Sequence, residues 1–123
     1  MATVELDKTN FADTINNNDF VIVDFWAPWC GPCRSFAPLY EELSEQHPDI
    51  VFAKVNTEVE QELAGHFQIR SIPTLMLFRE QVILYNEAGA LPKQQLVQLI
   101  EQASALDMAE VHKSIEQESA AST

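Results

Sequence analysis

The spacing of apolar positions changes several times along the chain, and each change predicts an element. ATVEL, residues 2–6, alternates as a short strand does. Thr9 can cap a short helix reaching about Asn17, and the polar NNND run at 16–19 reads as its exit. VIVDFWA, residues 21–27, is a nearly unbroken apolar, β-branched and aromatic run, which predicts a central strand covered on both faces. From Pro32 to about His47, Phe36, Leu39, Tyr40 and Leu43 recur at helical spacing. Pro38 lies inside that helix, where it removes a hydrogen bond and predicts a kink.

IVFAKVN at 50–56 predicts a second buried strand, and VEQELAGHF at 59–67 a short helix. TLMLF (74–78) and VILY (82–85) are strands separated by Arg79-Glu80-Gln81, short enough for an antiparallel hairpin. Pro92 can open a further helix with Leu96, Leu99, Ile100 and Ala103 on its apolar face. Strands interleaved with helices, then a hairpin and a helix, describe an α/β domain with a mixed sheet. Beyond Ala105 the stripe loses phase at Leu106, and Asp107 followed by Glu110 resembles a capping box opening a new helix. Met108, Val111 and Ile115 would share one side of it, and EQESAAST at the end reads as disordered.

Composition narrows the partners. A chain of 123 residues with 46% apolar and 21% charged residues is long enough for one self-sufficient core. Its formal net charge of −12 repels phosphate backbones and anionic lipid, which argues against nucleic acid and membrane surfaces as partners. The opening MATVELDKTNF has neither the basic nor the apolar region of a secretory signal, so a cytoplasmic setting is expected. Residues 101–123 hold five acids and one lysine, which makes the tail acidic in its own right.

The chemistry is concentrated in FWAPWCGPCRSF, residues 25–36, where Cys30 and Cys33 are the two cysteines of the chain. A structural zinc site needs four ligands, and the histidines at 47, 66 and 112 are too scattered to supply the other two. Two inert packing cysteines would leave Gly31-Pro32 between them unexplained. A redox pair explains the spacing. Pro32 suits the first turn of a helix, which places Cys30 at the helix N-terminus, where free N–H groups and the dipole favour a thiolate. Cys33, one turn on, can close a small disulfide ring with it. Asp24 interrupts a strand expected to be buried, and Lys54 does the same in FAKVN. On neighbouring strands the two would compensate each other, and a buried carboxyl can hold a proton near neutral pH. Ile72-Pro73-Thr74 reads, on residue statistics alone, as a strand entry with a trans bond.

VDFWAPWCGPC, FAKVN, IRSIPTLMLF and AGAL, in this order and spacing, resemble the thioredoxin family over residues 5–105. The resemblance implies a thioredoxin fold, a central mixed β-sheet flanked by helices on both faces, and reduction of disulfides in cytosolic proteins. It implies a domain over 1–105, with 106–123 as an acidic C-terminal extension made of a short helix and a disordered end. Cys30 would be the nucleophile, Cys33 the resolving thiol, Asp24 the buried acid assisting Cys33, and Lys54 its charge partner. Pro73 would be cis. A target chain would lie across Trp29, Gly31, Pro32, Ile72, Pro73, Ala88 and Gly89 and pair with the backbone at Ile72. No bound cofactor is implied beyond the redox-active Cys30–Cys33 disulfide. The implied partners are disulfide-containing proteins and an NADPH-dependent thioredoxin reductase, and the implied state is a monomer. Departures occur at Gln81, where the family's hairpin usually has glycine, at Ser71 and Thr57 on the docking rim, and at Arg34 in place of a frequent lysine. A second reading takes the fold as a holdase or adaptor that binds partners through the C-terminal extension.

Overall fold

A computed structural model describes residues 2–121. Its elements run β1 (Thr3–Glu5), α1 (Phe11–Asn17), β2 (Phe20–Trp26), α2 (Gly31–Gln46), β3 (Val51–Asn56), α3 (Gln61–His66), β4 (Thr74–Arg79), β5 (Val82–Ala88), α4 (Lys93–Ala105) and α5 (Met108–Ala121). The chain divides into two compact units, one ending at Leu91 and one starting at Pro92.

The first unit is built on a mixed five-stranded sheet in the order β1-β3-β2-β4-β5. β1 and β2 pair parallel to β3, while β4 runs antiparallel to both β2 and β5. β2 is central and its residues 20–25 are all buried, as its unbroken apolar run predicts. Alternate residues serve opposite faces. On one face Val21, Val23, Phe25, Ala53, Val55, Met76 and Phe78 pack with Phe11 and Ile15 of α1 and with Leu63 and Phe67 around α3. On the other, α2 lays Tyr40 against Phe52, with ring centroids 5.3 Å apart. The Tyr40 hydroxyl sits 2.9 Å from the Ile22 carbonyl oxygen and 2.7 Å from that of Ala53, fastening the helix to two strands.

Local capping departs from the expectation at one point. Thr9 does not cap α1. The Asp7 carboxylate accepts from the N–H groups of Thr9 and Asn10 and from the Thr9 hydroxyl, so the Asx turn starting at Asp7 does that work. α2 passes through Pro38 without ending there, and the Arg34 carbonyl loses its usual helical donor. The β4–β5 hairpin closes through Glu80 and Gln81, both at positive φ (47° and 70°), the mirror-image turn that glycine adopts more easily. Trp26, expected in the core, is half-buried.

In the second unit, α4 follows Pro92, and Leu96, Ile100 and Ala103 are its buried side while Leu99 is half-covered. Asp107 accepts from the N–H groups of Ala109 and Glu110 and so caps α5, as its spacing predicts. α5 continues through Ala121, over residues expected to be disordered, because its last turns are rich in Glu, Gln and Ala, which favour helix. Ser122 and Thr123 lie outside the described residues.

Candidate active site

Cys30 has extended backbone (φ −83°, ψ 113°) and is the N-cap of α2, with Gly31 and Pro32 forming the first turn. Proline is tolerated there because the first N–H groups of a helix have no partner inside it. The Cys33 N–H donates to Cys30 Sγ at 3.2 Å, and the two sulfurs are joined in a disulfide with Cα atoms 5.2 Å apart. Both residues are buried, and they pack with Ala27, Trp26 and Ile72. Trp29 is 64% exposed beside them, Pro32 is exposed, and a side chain at Gly31 would meet open space. The rim around the sulfurs is therefore flat and open.

The opposite rim comes from residues 71–74 and the end of β5. Ile72-Pro73 is a cis peptide, as the resemblance implied and against the statistical expectation. The Ile72 carbonyl oxygen lies 3.8 Å from Cys30 Sγ, a contact that can become an S–H···O bond once the disulfide is reduced. The Thr74 hydroxyl donates to the Ser71 carbonyl at 2.6 Å, and the Gly89 N–H donates to the Pro73 carbonyl at 2.8 Å. Gly89 needs φ +110° to do so, a conformation side chains disfavour. These bonds hold Ile72, Pro73, Ala88 and Gly89 together beside the sulfurs.

Asp24 and Lys54 are direct partners in the parallel β2–β3 register. Asp24 is 1% exposed and its Oδ1 has no hydrogen-bond partner. Burial pushes its carboxyl up from 3.8 to about 7; the Lys54 charge works against that shift, and the Glu5 charge adds to it. Lys54 does not close an ion pair on Asp24. Its Nζ stands over the Trp26 ring, 4.4 Å from the centroid. The expected charge partner is thus present as a neighbour held on an aromatic face.

Tyr40 and Glu5 escaped the sequence reading. Tyr40 reads as core from its helical spacing, but its buried hydroxyl ties α2 to β2 and β3, and burial raises its pKa well above 10.0, with Asp24 adding to the rise. Glu5 lies beside Lys54 in the β1–β3 register. Of the rim departures, Thr57 turns inward: its N–H and hydroxyl both donate to the Trp26 carbonyl, at 2.8 Å and 3.0 Å. Arg34 donates to the Pro28 carbonyl at 3.0 Å, bracing the loop that carries Trp29. Among the described residues, no group of three or more His, Cys, Asp or Glu side chains is placed to hold a metal ion, and no helix is long and apolar enough to cross a membrane.

Known proteins share this arrangement. The Thioredoxin family profile matches residues 2–102. A protein of Streptomyces coelicolor bearing the name thioredoxin 2 is 53% identical over 119 residues, spanning 97% of this chain and 89% of its own. Thioredoxin of Alicyclobacillus acidocaldarius is 45% identical over 96 residues, 77% of this chain and 91% of its own. Among solved structures, Plasmodium falciparum thioredoxin superposes with a TM-score of 0.76 at 36% identity, covering 81% of this chain and 98% of that one. Thioredoxin f from spinach chloroplast gives a TM-score of 0.78 at 29% identity, covering 85% of this chain and 95% of that one. With a bonded cysteine pair at the mouth of α2 and this match over most of its length, the chain belongs to the thioredoxin family.

Proposed function

We propose a division of labour among the site residues for the thiol-disulfide exchange that membership of this family and the Cys30–Cys33 disulfide establish. The protein is a disulfide reductase, and disulfide-bearing proteins and a thioredoxin reductase are its partners. In the reduced form the Cys30 thiolate, favoured by the N–H groups opening α2, attacks one sulfur of a target disulfide. A Cys30–target disulfide forms and the other target sulfur leaves as a thiolate, which takes a proton from solvent. Cys33 then passes its proton toward the Asp24 carboxylate, attacks Cys30 Sγ and expels the second target sulfur. Two electrons have moved to the target, and the Cys30–Cys33 disulfide remains for the reductase to reduce with electrons from NADPH.

Asp24 suits its part because it shares the α2-covered face of the sheet with Trp26, against which Cys33 packs, and because burial holds its pKa near neutrality. Lys54 tempers that carboxyl without neutralising it. Trp29, Gly31 and Pro32 on one side, and Ile72, Pro73, Ala88 and Gly89 on the other, form the seat for an extended target strand. No described group accepts the Ile72 N–H, so a target backbone can pair with it. Residues 1–105 constitute the catalytic domain and 106–123 an acidic appendage. The protein works as a cytoplasmic monomer without a bound cofactor.

The observation that carries this reading is the bonded cysteine pair at the N-cap of α2. Insulin reduction coupled to NADPH and a thioredoxin reductase tests it. Cys30→Ser and Cys33→Ser should each abolish turnover, and Cys33→Ser should accumulate the mixed disulfide. Turnover surviving in Cys30→Ser would overturn the assignment.

A further inference from the structure

Three charged residues form one row across the sheet. β1, β3 and β2 are consecutive strands, and Glu5 pairs with Lys54 while Lys54 pairs with Asp24. Residues paired in register share a face. A single ammonium therefore stands between two carboxyls, one at the sheet edge and one in the buried centre. It reaches neither within ion-pair distance and rests on the Trp26 ring, 4.4 Å from the centroid. Asp24 Oδ1 is buried without a hydrogen-bond partner. A lone Lys54–Asp24 couple would be expected to close, because an unpaired buried carboxylate is expensive and lysine has a flexible stem.

We propose that Glu5 is a positioning residue for the proton site of the established exchange chemistry: it competes with Asp24 for the Lys54 ammonium, which stays on the Trp26 ring between them, and leaves the Asp24 carboxyl without a cation partner. The inference rests on Asp24 acting as the acceptor for Cys33. Glu5 is exposed as a residue, yet partial burial of its carboxyl raises its own pKa, with the Lys54 charge and the Trp26 indole N–H acting in the opposite sense. The other groups around Asp24 do not take Glu5's place. β4 sets Leu75 beside Asp24. α2 brings the neutral Tyr40, whose hydroxyl is engaged by two backbone carbonyls. Glu41, further along α2, accepts from the Thr3 hydroxyl. Glu5 is the acid that shares a register row with both charges.

The test is a pH titration of the Asp24 carboxyl by carbon-13 NMR in the oxidised protein, where no thiol titrates. Glu5→Gln, an isosteric change on an exposed edge strand, should lower the Asp24 midpoint by about half a pH unit as Lys54 turns inward. In a Lys54→Gln background the same change should move it by no more than about half as much, since the shared cation is gone. The pH midpoint for resolving a Cys30 mixed disulfide should follow the carboxyl in each variant. An unmoved Asp24 midpoint in Glu5→Gln, or equal shifts with and without Lys54, would overturn the proposal while leaving the reductase assignment intact. Failure of insulin reduction in the unaltered protein would instead remove the reductase assignment, whatever the titration shows.

Discussion

The two faces of the sheet are made by the same strands and differ in kind. Towards α1 and α3, β2, β3 and β4 present Val21, Val23, Phe25, Ala53, Val55, Met76 and Phe78, with no charged group among them. One residue along each strand, towards α2, they present Ile22, Phe52, Leu75 and Leu77, but also Asp24, Lys54 and Trp26. The first face meets a cluster in which Phe67 touches Phe11, Phe25 and Phe78. The second meets the helix that begins at Cys30. Stability and chemistry are thus separated by the period-two alternation of a strand, and both charges lie on the face that α2 covers. Exchanging the faces would require a one-residue slip in register, which would bury both charges in the aromatic cluster.

Substitutions at adjacent positions on β2 should have opposite effects on the two faces. Phe25 is fully buried, and Phe25→Ala should destabilise the protein by about 3–5 kcal/mol in urea unfolding, because ring contacts are lost and a cavity remains. Turnover per folded molecule should hold, since the ring faces away from α2. A loss below about 1 kcal/mol would mean that the aromatic cluster collapses to fill the space.

Asp24→Asn, one residue earlier, should act with the reverse sign. The folded chain keeps a proton on Asp24 up to about pH 7, whereas the unfolded chain releases it near the ordinary value of 3.8. The native state therefore binds more protons across that window, and stability falls as pH rises through it. At pH 8 the full penalty is present, and its removal should stabilise the protein by about 2–4 kcal/mol. Below pH 4 the two proteins should unfold alike. The same variant should slow resolution of the mixed disulfide far more than its formation in stopped-flow measurements. Equal slowing of both steps would separate Asp24 from Cys33.

Sequence reading reached the elements whose cause is local. Period and residue type placed β2, β3 and the β4–β5 hairpin, and Asp107 announced the cap of α5 three residues before Glu110. The Cys30–Cys33 pair was legible because its chemistry follows from spacing at a helix start. Features that depend on which strands become neighbours were not. Glu5 looks like a solvent-facing strand residue until β1 docks beside β3, and only then does it face Lys54. The Tyr40 hydroxyl finds its carbonyls on two strands distant in sequence. Asp7 rather than Thr9 organises the start of α1, because both side chains can cap and the chain geometry chooses. The cis bond at Pro73 came from the resemblance and not from residue statistics, since the preference of a single X–Pro bond is decided by its surroundings.

Tyr40→Phe is a smaller perturbation of the chemical face. It keeps the ring against Phe36 and Phe52 and removes only the hydroxyl shared by the Ile22 and Ala53 carbonyls. A loss of about 1–2 kcal/mol is expected in urea, the range for leaving a buried acceptor with one partner fewer. Hydrogen exchange should quicken at the junction of α2 with β2 and β3, while the aromatic cluster behind the sheet keeps its protection. Uniform loosening on both faces would show that the hydroxyl supports the whole sheet.

The smallest effect on stability and a distinct effect on function should come from Trp29. The side chain is 64% exposed, so Trp29→Ala uncovers little apolar area and should leave the unfolding free energy within about 0.5 kcal/mol. An exposed tryptophan beside a reactive sulfur nevertheless offers a large rigid surface to an incoming chain, and such residues carry much of an interface's energy. KM for insulin should rise by about tenfold, the consequence of losing about 1.4 kcal/mol of binding. A small aromatic disulfide, too short to span from Trp29 to Ile72, should be reduced at an unchanged rate. Equal losses for the small and the protein substrate would mean that Trp29 acts on the sulfur itself, and the rim would then belong to the chemistry and not to docking.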